Sequence, residues 1–65
     1  MAFSYEPLRK LLHARNLSKK DFMLLTGLSI STVSKLQKDE SVSLEVLDRI
    51  CGSLKCDFGN IIKHI

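Results

Sequence analysis

Two serine-capped segments with a single glycine between them constrain this chain more than any other feature. Ser18-Lys19-Lys20-Asp21 places a hydroxyl residue three positions ahead of a carboxylate, the reciprocal pattern that satisfies two otherwise orphaned amides where a helix begins. Leu17 and Phe22 flank the cap as an apolar staple. The segment is expected to stop at Gly27, which takes the left-handed conformation without steric cost, with Leu28 packing back as in a Schellman ending. Ser29 then caps a second helix over residues 29–38, so the connection is very short and the two helices must cross steeply. Val33 and Leu36 are its inward face and join Phe22, Leu25 and Leu28. Ile30, Ser31, Ser34, Lys35 and Lys38 are left to point outward.

The remaining signals describe a scaffold around that pair. The only proline, Pro7, falls in the tolerant first turn of a helix expected over 5–15, with Ser4 as its N-cap and Asn16 at its end. Tyr5, Leu8, Leu11 and Leu12 make its apolar stripe. Val42-Ser43 repeats the staple and cap, and Leu44, Leu47, Ile50, Cys51 and Leu54 keep helical spacing as far as Leu54. Asp57 can cap a fifth helix over 58–64, whose Phe58, Ile61, Ile62 and Ile65 offer more apolar surface than one face needs. The expectation is an all-α, compact five-helix bundle forming one domain over 1–65. A chain of 65 residues supports one core, burying about 60% of its unfolded surface.

Charge is distributed unevenly. Residues 1–38 hold seven Lys/Arg against Glu6 and Asp21, whereas 39–65 hold three against five acidic residues, so the positive potential sits with the capped pair. Catalytic chemistry has no foothold: no Ser/His/Asp or Cys/His arrangement has local support, and no glycine loop cradles a phosphate. The three glycines read as turns or helix ends. His13 and His64 have no partner at ligand spacing, and Cys51 and Cys56 stand at neither a redox nor a zinc spacing. Both cysteines are expected to be reduced, buried apolar residues, and no cofactor, metal or small-molecule ligand is expected. No apolar run suffices for a membrane span and the N-terminal residues do not read as a leader, so a cytoplasmic protein that is not an enzyme is expected.

A capped helix, a glycine turn and a second capped helix within about 20 residues make the helix-turn-helix pattern. The major groove of B-DNA, about 12 Å wide, admits one helix, which the first helix of the pair braces against the backbone. The stretch from Leu17 through Thr26-Gly27-Leu28-Ser29 to Leu36 resembles the Cro/CI-type (Xre) family of lambda-repressor-like regulators. The segment from Val42 to Ile62 is similar to the small stand-alone members of that family. The resemblance implies a five-helix fold, transcriptional regulation and commonly a homodimer on a two-fold symmetric operator, and the function expected is that of a sequence-specific double-stranded DNA-binding regulator, a repressor, with helix 29–38 in the major groove. It assigns Ile30, Ser31, Thr32 and Lys35 to base-edge or near-base contacts, and Ser18, Lys19 and Lys38 to phosphates. Lys20 joins Lys19 as a candidate clamp, Ser29 is a cap at the same surface, and Ser34 shares a face with Lys35 and Lys38. Phe58, Ile61, Ile62 and Ile65 are the candidate dimer patch. A protein-interaction module or antitoxin-like partner built on the same fold is the alternative.

Overall fold

The computed structural model describes residues 2–65. Four α-helices, α1 (Glu6–Ala14), α2 (Lys19–Thr26), α3 (Ile30–Gln37) and α4 (Leu44–Leu54), are followed by one 3₁₀ turn, Phe58–Asn60. Two short strands, β1 (Phe3–Ser4) and β2 (Lys63–His64), pair antiparallel with Phe3 opposite His64, so the two ends of the fold meet. Helix α2 packs on α3 and α4, and the 3₁₀ turn bridges α1 and α4. Between them lies one core, in which Tyr5, Leu8, Phe22, Ile50 and Ile61 are the largest fully buried side chains. Burial of each such residue is worth roughly 1.5–3 kcal/mol relative to exposure. Among the described residues no helix is long and apolar enough to cross a membrane.

The three serine caps form as the sequence indicates. Ser18 Oγ accepts from the Asp21 N–H at 3.1 Å, and the Asp21 carboxylate accepts from the Ser18 N–H at 3.1 Å, which completes the capping box of α2. Ser29 and Ser43 accept from the Thr32 and Val46 N–H groups at the starts of α3 and α4.

Helix α1 begins differently. Its N-cap is Tyr5, with no side-chain cap of its own, and Ser4, expected as the cap, lies in β1. Ser4 Oγ still accepts the Glu6 N–H at 3.1 Å. The Tyr5 N–H donates instead to Asp39 Oδ1 at 2.9 Å, a partner 34 residues away. The cause is the Tyr5 ring, which is 1% exposed and sends its hydroxyl to the Glu40 carbonyl at 2.7 Å. Seating that ring in the core places the cap position where only a distant carboxylate reaches it.

The fifth helix does not form. Asp57 does cap, its carboxylate accepting from the Phe58 N–H at 2.8 Å while Asn60 Oδ1 accepts from the Asp57 N–H at 2.9 Å, but the turn closes after three residues. A seven-residue segment containing Gly59, Asn60 and two β-branched isoleucines has little intrinsic helicity. Inserting Ile61 into the core and pairing β2 with β1 satisfies it better. The all-α class holds, while the expected five helices become, among the described residues, four α-helices and a 3₁₀ turn, with a two-residue ladder joining the ends.

Helix ends also depart from expectation. The Schellman bond pattern appears not at Gly27 but after α1, where the Leu17 N–H reaches the Leu12 carbonyl at 2.9 Å. It recurs after α3, from Glu40 to Lys35, and after α4, from Cys56 to Cys51. The left-handed residues there are Asn16, Asp39 and Lys55 rather than glycines. Gly52, read as a turn or helix-end glycine, lies within α4, and a methyl built on it would meet nothing within 4 Å. Gly52→Ala should consequently raise unfolding stability by about 0.5–1 kcal/mol, read as a higher urea midpoint at unchanged slope.

Candidate nucleic-acid interface

The joint between α2 and α3 is built around one buried hydroxyl. Thr26, 5% exposed, donates through Oγ1 to the Phe22 carbonyl at 2.8 Å and accepts the Leu28 N–H at 3.4 Å. Gly27, with φ of 71°, gives its own N–H to the Met23 carbonyl at 2.8 Å, a single-bond left-handed ending. The turn thus satisfies its amides within the space of three residues, and Leu28 is free to drop into the core. Ser29 restarts the helix immediately.

From this joint α3 presents two unlike faces. Val33 and Leu36 are buried, each 3% exposed, whereas Ile30 is 62% exposed and Ser31, Lys35 and Lys38 are exposed beside it. Thr32 and Ser34 are half-buried. The hydroxyls of Ser29, Ser31 and Thr32 cluster at the start of the helix, with Ser29 Oγ 3.0 Å from Ser31 Oγ and 3.1 Å from Thr32 Oγ1. On α2, Ser18 serves as the cap, and Lys19 and Lys20 are both exposed. The polar candidates are therefore at or near the surface on adjoining helices.

The distribution of ion pairs sharpens this picture. Arg9 pairs with Asp39 at 3.1 Å, Lys10 with Glu6 at 3.0 Å, and Arg15 donates to the Leu54 carbonyl at 2.6 Å, closing the end of α4. Lys19, Lys20, Lys35 and Lys38 take part in no ion pair among the described residues. The cations of α1 are used by the scaffold, and those of α2 and α3 remain available to a polyanion.

Several side chains that matter here carry no local sequence signal. Arg9 Nη1 bridges Asp39 Oδ1 and the Leu36 carbonyl at 3.2 Å, tying the end of α3 to α1. The Tyr5 N–H, then the Arg9 guanidinium, hold the Asp39 carboxyl below its ordinary value. Asp39 is thus committed to contacts with Tyr5 and Arg9 rather than left as an isolated negative charge at the end of α3. Residue types that tolerate the left-handed conformation hint at Asp39 and Asn16, but nothing local hints at Arg9 or Thr26.

Two expectations are corrected. Leu25, expected to hold the two helices together, is 52% exposed, because Phe22 and Thr26 already fill the inward face of this eight-residue helix. Ile61, expected on a dimer patch, is 0% exposed within the protomer and is part of the core. Phe58 and Ile65 do remain exposed, and Ile62 is half-buried. Cys51 and Cys56, expected to be buried, are also half-buried.

Residues 7–65 match the family described as the Cro/C1-type HTH DNA-binding domain, and the chain belongs to that family. Among solved structures it is similar to the crystal structure of the transcriptional regulator VanUg, form II. The two share 47% identity at a TM-score of 0.93, over 98% of this chain and 85% of that one. No curated protein sequence matches at a significant level.

Thr26→Val keeps the shape of the joint but strands the Leu28 N–H, and should cost about 1–3 kcal/mol in chemical denaturation. Acid should weaken the fold through three carboxyls. Asp39 is lowered as described, Asp21 by the Ser18 N–H and hydroxyl, and Glu6 by its hydrogen bond to Lys10 and then by Lys63. A lowered carboxyl stabilises the fold fully above its unfolded value of about 4, and that contribution is lost as pH falls through the folded value. Thermal midpoints should therefore drop between about pH 5 and pH 2, with a shallower drop in Asp39→Asn.

Proposed function

We propose that this chain is a sequence-specific transcriptional regulator, acting as a repressor, that seats α3 in the major groove of duplex DNA. The observation that carries the reading is the division of α3: Val33 and Leu36 are buried in the core, while Ile30, Ser31 and Lys35 are exposed, and Lys35, like Lys19, Lys20 and Lys38, is without an ion-pair partner among the described residues. In this reading Lys35 donates to guanine O6 or N7, Ile30 touches a thymine methyl, and Ser31, Thr32 and Ser34 lie at or near base edges. Ser18, Lys19, Lys20 and Lys38 hold phosphates, aided by the positive end of α2, with Ser29 organising the start of α3. The protein acts by binding, with no catalytic step.

Recognition of a two-fold symmetric operator calls for a homodimer, and exposed Phe58 and Ile65 with half-buried Ile62 are the apolar residues proposed for that contact. Sedimentation at high concentration reads this directly, a purely monomeric boundary being the contrary result. A second reading, a protein-interaction module, draws on exposed Leu24 and Leu25 on α2, which neither the core nor the proposed DNA surface needs.

Selection of bound duplexes from a random pool, followed by mobility shifts at two salt concentrations, separates the readings. Lys35→Ala should relax base preference at one position, by about 10-fold or more. Lys19→Ala should weaken binding to all sequences alike and reduce the salt slope by about one phosphate contact. Failure of the intact chain to enrich any sequence would favour the interaction module.

A further inference from the structure

The turn that ends α4 carries a feature that DNA binding does not use. Lys55 adopts the left-handed conformation, φ 53°, and reverses the chain so that the Cys56 N–H reaches the Cys51 carbonyl at 3.1 Å. In turns of this bond pattern a contact between the side chains at those two positions is frequent. Here both are thiols, both are free, and both are half-exposed. They lie along the edge of the core rather than inside it. Gly52, next to Cys51, is exposed and carries no side chain.

We propose that Cys51 and Cys56 are a redox-active pair that closes to an intramolecular disulfide across the α4 turn by exchange with a low-molecular-weight disulfide.

The exchange balances in two steps. Cys56 loses its proton and attacks one sulfur of the small disulfide, forming a mixed disulfide and releasing one small thiolate. Cys51 then loses its proton and attacks Cys56 Sγ, closing the ring and releasing the second thiolate. The protein dithiol is oxidised by two electrons and the small disulfide is reduced to two thiols. Burial, then the neighbouring thiol and the carboxylates Asp57 and Asp48, push the Cys51 thiol up, and Cys51 is accordingly written as the second thiol to react.

The ring has a structural consequence. A lysine at φ 53° is strained, and a covalent link across it holds the conformation that the turn already requires. The turn is the only covalent connection between α4 and the segment that delivers Ile61 to the core and β2 to β1. Closure therefore stiffens the attachment of that segment while leaving the outer face of α3 untouched.

The test uses the full chain with glutathione disulfide as the probe. After incubation, blocking of free thiols and trypsin cleavage, monomeric protein should yield peptides 50–55 and 56–63 joined only through sulfur. The thermal midpoint should rise by several degrees and return on addition of a reductant. Cys51→Ser and Cys56→Ser should each take up one glutathione and form no ring. Two separate glutathione adducts on the unaltered chain, or a ring that lowers the midpoint, would overturn the proposal, because the thiols would then be too far apart or the turn would have to open.

Discussion

The crossing of α2 and α3 depends on how a very short connection keeps its backbone hydrogen-bonded. Between Thr26 and Ser29 the chain leaves one helix and enters another, with the amides of Gly27 and Leu28 both needing acceptors and the second of them buried. Water cannot satisfy a buried amide, and leaving one unpaired is costly. Met23 supplies a carbonyl for the first, and the Thr26 hydroxyl, itself donating to Phe22, accepts from the second. Because this relay is internal, α3 needs no loop residues to support it and can lie against α2 with its outer side chains uncommitted.

The far end of α3 is held by a different device. Asp39 takes a left-handed conformation and its carboxylate gathers the Tyr5 amide and the Arg9 guanidinium, while Arg9 also reaches the Leu36 carbonyl. Tyr5 returns a hydroxyl to Glu40. One node thereby caps the start of α1, closes the end of α3 and positions a fully buried aromatic ring. Helix α3 is anchored at both ends, by a hydroxyl relay at one and a charged cluster at the other.

The sequence made local features legible and long-range ones hidden. The caps at Ser18, Ser29 and Ser43, and the stop at Gly27, are short-range hydrogen-bond logic and could be read directly. So could the lysines of α2 and α3, because charge needs no partner to be noticed. The fifth helix was misread because Asp57 caps a single turn with the same chemistry that starts a long one. Leu25 was misplaced because a helix of only eight residues buries a narrower stripe than periodicity suggests. Ile61 looked like surplus apolar surface when it is a core residue arriving from a non-helical segment. Arg9 and Asp39 meet across 30 residues, beyond the reach of any local pattern.

The β1–β2 ladder joins residues separated by nearly the whole chain, with only two on each side. Closing so large a loop costs conformational entropy that few contacts repay at the moment of pairing. In folding, the helices can therefore assemble through nearer contacts before the ladder zips, and in the native ensemble it is the natural place for the earliest opening. Amide exchange in such a molecule would run fastest at its seam, leaving the turn between α2 and α3 insulated from the fraying of its ends.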